Sequence, residues 1–96
     1  MLLKEPEDSF LNYALAMEYV ADKQIPEAIR IIEGVIQKDK NYLGAYYQLG
    51  KLYEQSGQIN DAINTYKEGI AIAGHQQNNK TLGELNQALM LLEERE

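Results

Sequence analysis

Residues 43–76 read LGAYYQLGKLYEQSGQINDAINTYKEGIAIAGHQ, and the reading of this stretch decides the fold. Its apolar and small residues recur at helical spacing in two blocks. Tyr46, Leu49, Gly50 and Tyr53 share one helical face; Ala62, Ile63, Tyr66, Gly69 and Ile70 share a second. Between the blocks stands Gln55-Ser56-Gly57-Gln58. Gly57 can enter the left-handed conformation that ends a helix without steric cost. So short a connection makes the two helices antiparallel neighbours.

The same pattern precedes it. When residues 9–42 are laid over residues 43–76, Tyr13 falls on Tyr47, Leu15 on Leu49, Tyr19 on Tyr53, Ala28 on Ala62 and Ile36 on Ile70. Ala16 falls on Gly50 and Ile32 on Tyr66, while charged positions drift freely. Repetition of the apolar and small residues alone is what recurring packing leaves in a sequence. The break in the first copy is Ala21-Asp22-Lys23-Gln24-Ile25-Pro26, with Pro26 suited to the first turn of the next helix. The small residues imply close approaches: Ala28 and Ala62 bring the second helix of each pair onto the first. Ala16 and Gly50 bring the first helix onto its neighbour.

The spacing Tyr46-x-x-Leu49-Gly50-x-x-Tyr53, followed by Gly57, Ala62, Tyr66 and Gly69-Ile70, resembles the tetratricopeptide repeat. Residues 9–42 match more loosely, with Asn12 where that repeat prefers a large apolar residue and Lys23 where it prefers Gly. Lys40 and Gly74 stand where a helix-breaking proline often ends the repeat. The resemblance implies an all-α protein, an α-solenoid in which two helix-turn-helix hairpins and a closing helix form a right-handed superhelical stack of five helices. Residues 1–96 then make one domain, with repeats at about 9–42 and 43–76 and a capping helix at about 80–95. Small bacterial proteins built of little else look similar.

The last segment leaves the register. Thr81-x-x-Glu84 reads as a capping box, and Leu82, Leu85, Leu89 and Leu92 follow at helical spacing. A polar loop is expected over residues 74–79. The end of a repeat stack exposes an apolar face that needs a cap, and this helix is expected to supply it.

Composition narrows the function. The 96 residues include no cysteine, hence no disulfide framework, thiol nucleophile or thiolate metal site. Asp and Glu number 15 against 9 Lys and Arg, for a formal charge of −6. Scattered, outnumbered cations do not make the basic patch that nucleic acid requires, and the same excess disfavours anionic membrane. No apolar run approaches the ~20 residues of a membrane span. The start, Met1 to Asp8, turns acidic at once and lacks the apolar region of a secretory signal. A cytoplasmic, full-length chain is the expectation.

Catalytic chemistry is not evident. His75 is the single histidine, with no second ligand type beside it. Glu5, Glu7 and Asp8 belong to a helix start, where acids favour the dipole, and Glu93, Glu94 and Glu96 to a solvated tail. No nucleophile motif surrounds Ser9 or Ser56. We therefore expect no enzyme, metal or cofactor. Of the 7 tyrosines, Tyr19, Tyr53 and Tyr66 occupy core positions of the pattern, whereas Tyr13 and Tyr47 point elsewhere. In the family resembled, first helices line a concave groove, which places Phe10, Tyr13, Met17, Tyr47, Gln48, Lys51, Glu54 and Gln55 near it. That surface is mixed aromatic and polar. It suits a peptide or helix of another protein anchored by apolar side chains. The cationic carboxylate clamp of some family members is missing, since Tyr13, Met17 and Gln48 occupy its places. The rival expectation is a symmetric homodimer through the groove or through the amino-terminal face at Phe10 and Leu11.

Overall fold

A computed structural model describes residues 8–95 and contains, among them, five α-helices and no strand. They are α1 (Ser9–Ala21), α2 (Ile25–Lys38), α3 (Leu43–Gln55), α4 (Ile59–Gln76) and α5 (Asn79–Glu94). Glu5, Glu7 and Glu96 lie outside the described residues.

The helix ends have local causes. Asp8 caps α1 by accepting the Leu11 N–H at 3.0 Å. Pro26 occupies the first turn of α2, as its fixed φ allows. Gly57 turns the chain between α3 and α4 with φ +77°, and Lys23 performs the same turn between α1 and α2 with φ +62°. The first turn thus keeps its shape without glycine, at the steric cost an L side chain meets there.

Two expectations about the carboxyl-terminal third are corrected. The polar loop over residues 74–79 is mostly helix: α4 runs through Gly74, His75 and Gln76, and stops where Gln77 takes φ +56°. Extending α4 places Ala73 in the core, fully buried. The cap of α5 is Asn78, whose side chain accepts the Thr81 N–H at 3.1 Å, rather than Thr81. The turn at Gln77 sets the start of α5 earlier than the Thr–Glu spacing suggests.

Helices α1 with α2, and α3 with α4, form antiparallel hairpins; α2 packs on α3, and α5 on α4 with a lesser contact to α3. The core runs through all five, with Ala16, Ala28, Ile32, Leu52, Ala62, Tyr66, Leu85 and Leu92 at 2 % exposure or less. Each large apolar side chain so placed contributes roughly 1.5–3 kcal/mol. Close approach comes from glycine. A Cβ on Gly50 would meet the Tyr66 ring, and one on Gly69 would lie 2.8 Å from Tyr46 Cβ and 3.0 Å from Leu85 Cδ1. The neighbour that Gly50 approaches is thus α4.

Tyrosine hydroxyls reach across the stack. Tyr46 donates to the Lys40 carbonyl at 2.7 Å and holds the inter-hairpin loop. Tyr53 donates to the Glu33 carboxylate on α2, and Tyr66 to that of Glu54 on α3. Tyr19, expected in the core, is only half-buried, because no hairpin precedes α1 among the described residues to cover it as α2 covers Tyr53.

Candidate functional site

The hairpins form two layers. Helices α1, α3 and α5 lie side by side, and α2 and α4 back them. Tyr13 joins α1 to α3: its hydroxyl stands 4.0 Å from where a Gly44 Cβ would be, and the Gln48 side chain approaches it as a hydrogen-bond donor. The Tyr13 ring also tilts against that of Tyr42, with centroids 5.4 Å apart. Burial, then the neighbouring Tyr42, raise the Tyr13 pKa above its ordinary value. This half of the surface is filled by its own side chains.

The eight side chains expected at the groove separate accordingly. Phe10 stands 67 % exposed on the first turn of α1. Tyr13, Met17, Tyr47 and Gln48 are half-buried, and Gln55 is exposed at the end of α3. Tyr47 packs its ring 6.4 Å from that of Tyr66, with the Lys51 ammonium 5.9 Å from its own centroid. Such a cation contributes ~0.5–1 kcal/mol at an exposed site. Glu54 is occupied. It accepts from the Tyr66 hydroxyl and, at 2.9 Å, from the Arg95 guanidinium, tying α3, α4 and the end of α5 together. The Tyr66 pKa is raised by burial first and by the Glu54 hydrogen bond second.

The α5 contribution escaped the sequence reading. Between α3 and α5 lies an open cleft of about 450 Å³, lined by Lys51, Glu54, Ala88, Leu91 and Arg95 among others. Leu91 is 54 % and Met90 56 % exposed. If Asn79 is laid on Leu43, helix start on helix start, Leu82, Leu85 and Leu89 take the places of Tyr46, Leu49 and Tyr53. Gln87, Met90 and Leu91 then fall where α3 carries Lys51, Glu54 and Gln55. The helix read as a cap therefore also extends the surface as a third first helix. The longer α4 displaces this helix from the repeat register and hides the signal.

The surface offers apolar side chains, amides and the Lys51 ammonium, with the Glu54 carboxylate and the Arg95 guanidinium paired where α5 ends. No group of three His, Cys, Asp or Glu among the described residues could hold a metal ion, and no helix there is long and apolar enough to cross a membrane. His75 is exposed in the last turn of α4.

Comparison with known proteins follows the same lines. The profile of the tetratricopeptide repeat matches residues 19–79. A tetratricopeptide repeat domain protein of Salinibacter ruber, solved by NMR, superposes with a TM-score of 0.90 at 41 % identity, covering 95 % of this chain and 92 % of that one. The crystal structure of a tetratricopeptide repeat domain protein from the same organism gives 0.88 at 39 %, covering 93 % and 100 %. The TPR2B domain of yeast Sti1, solved in a complex with pHsp70, gives 0.91 at 21 % over 100 % of this chain and 77 % of that one, a likeness of fold. A NADPH oxidase activator of Dictyostelium discoideum is 30 % identical over 91 residues, which is 93 % of this chain but 15 % of that protein's length.

Proposed function

The chain belongs to the tetratricopeptide repeat family, and from that premise we propose that it is a non-catalytic module that holds a peptide or helix of another protein. The seat is the groove along α1, α3 and α5. The observation that carries this reading is where the apolar surface lies. Of the four large apolar side chains exposed among the described residues, Leu91 lines the cleft between α3 and α5 with Lys51, and the repeat register assigns Phe10 and Met90 to the same layer. Exposed aromatic, Met and Leu side chains within a polar surround are what a protein partner covers. Tyr13 shapes the floor, and contact falls to Phe10, Met17, Tyr47, Lys51 and Leu91. The neighbouring Sti1 domain is of the same fold and forms a complex with pHsp70.

A photo-crosslinking residue placed at Gln87 or Gln55 should capture a partner protein in cells of the source organism. The same residue at Lys67, on the other layer, should not. Equal capture from both layers, or none from the groove, overturns the reading.

Self-association is the second reading, favoured by the exposed pair Phe10 and Leu11, 67 % and 44 % accessible. The end faces oppose it. Glu18 takes the place that Leu52, 2 % exposed, holds on α3, and exposed Asn86 takes that of Gly50. Sedimentation equilibrium decides: a monomer at high micromolar concentration removes the dimer.

A further inference from the structure

Helix α1 forms one edge of the stack, and among the described residues one of its faces is uncovered. In the repeat register Leu11, Leu15, Glu18 and Tyr19 stand where α3 carries Ala45, Leu49, Leu52 and Tyr53. On α3, against which α2 packs, none of those four is more than 8 % exposed. On α1, Leu11 is 44 % exposed, and Leu15 and Tyr19 are half-buried. An open cleft of about 370 Å³ runs along this face, lined by Leu15, Glu18, Tyr19 and Asp22. The face thus repeats the seat that α3 offers to α2.

The charge on this face selects the helix that fits it. Glu18 and Asp22 stand one turn apart at its edge, both exposed. Like charges at that spacing weaken a helix, and acids at its carboxyl end oppose the dipole. No basic residue lies in the last turn of α1. Asp22 accepts only a neutral amide donor, Gln24 Nε2 at 2.8 Å, and no basic side chain lines the cleft. The pair therefore works against α1 taken alone. We infer that this face of α1 docks a basic amphipathic helix of a partner protein, laid on it as α2 is laid on α3. Leu11, Leu15 and Tyr19 cover the apolar stripe of that helix, and Glu18 and Asp22 take two Lys or Arg side chains one turn apart. An apolar or acidic helix is rejected, because it would bury the Glu18 carboxylate without a counter-charge. None of the five helices of this chain carries a net positive charge, so a second copy does not supply the partner surface. The face lies on the far side of α1 from the α3–α5 cleft, so the two surfaces are independent.

The test is an NMR titration of the whole chain with a blocked helical peptide of about 18 residues, bearing one Leu stripe flanked by Lys, beside a counterpart with Glu for every Lys. Shifts centred on Leu11, Leu15, Glu18, Tyr19 and Asp22 are expected with the Lys peptide and not with the Glu peptide. Glu18→Gln with Asp22→Asn should weaken binding about tenfold without lowering Tm, whereas Glu84→Gln on α5 should leave the affinity unchanged. Glu18→Lys with Asp22→Lys should transfer the preference to the Glu peptide. Absent shifts, shifts spread over the acidic surface, equal response to both peptides, or an unchanged affinity or lower Tm in the first double variant would each overturn the proposal. Shifts that depend on protein concentration without peptide would assign the face to a second copy. Overhauser contacts from Leu2 or Leu3 to Leu15 in the free chain would assign it to the chain's own first residues, and either result overturns the proposal as well.

Discussion

Gly50→Ala should destabilise the protein although alanine is the better helix former. Position 50 lies inside α3, where Gly→Ala alone gains ~1 kcal/mol of helix propensity. The added Cβ, however, would lie 2.6 Å from Tyr66 Cζ and 2.7 Å from Cδ1, and nearer still to Cε1. Carbon atoms settle at about 3.5–4.0 Å, so the ring must retreat by about 1 Å. It has nowhere to go: Tyr66 is fully buried and its hydroxyl is held by Glu54. Overpacking of this kind costs ~1–3 kcal/mol, and a pinned ring belongs at the upper end. The net loss is ~2 kcal/mol, or roughly 10 °C in Tm for a chain this size. The first hairpin suggests the rescue, since it carries Ala16 with Ile32 at the matching positions, both fully buried. Tyr66→Ile alone leaves a cavity and costs a few kcal/mol. The double variant should be more stable than the sum of the single losses, by ~1–2 kcal/mol of coupling. Urea denaturation followed by far-UV circular dichroism measures all four corners of the cycle. A Gly50→Ala protein as stable as the parent, or losses that simply add, would refute the close-approach account.

Three further outcomes are expected. Lys23→Gly relieves an L residue at φ +62° and should raise stability by up to ~1 kcal/mol, read as a higher urea midpoint at unchanged slope. Asn78→Ala removes the side-chain cap of α5 and should cost ~1 kcal/mol, whereas Thr81→Ala should cost less; the reverse order would restore the Thr81 cap. Tyr53 and Tyr66 titrate above the ordinary 10.0, through burial and then their hydrogen bonds to Glu33 and Glu54. Their folded forms keep protons that the unfolded chain releases, so this stability is complete below pH 10 and is lost as pH climbs beyond it. Absorbance should show both phenols ionising only as the fold melts, and Tyr66→Phe should flatten the alkaline loss.

The groove was partly legible. Tyr13 and Tyr47 stand out in the sequence as a repeated aromatic pair off the core face. Periodicity cannot show that Tyr13 is spent on Tyr42 and Gln48, because those contacts join an inter-hairpin loop and a different helix. It could not show that Glu54 is committed to Tyr66 and Arg95, the latter 41 positions away in the chain. Met90 and Leu91 were hidden by the added turn of α4, which shifts α5 out of register.

What the sequence by itself determined is the unit: two helix pairs, their turns, and the small residues where helices meet. Each rests on local chemistry or on spacing that repeats, and both survive in a linear string. What only the tertiary structure decided is which surface remains for a partner. Exposure depends on what covers a side chain from elsewhere in the chain. The same helical face is buried as Leu49 and Tyr53 beneath α2, yet half-open as Leu15 and Tyr19 on α1.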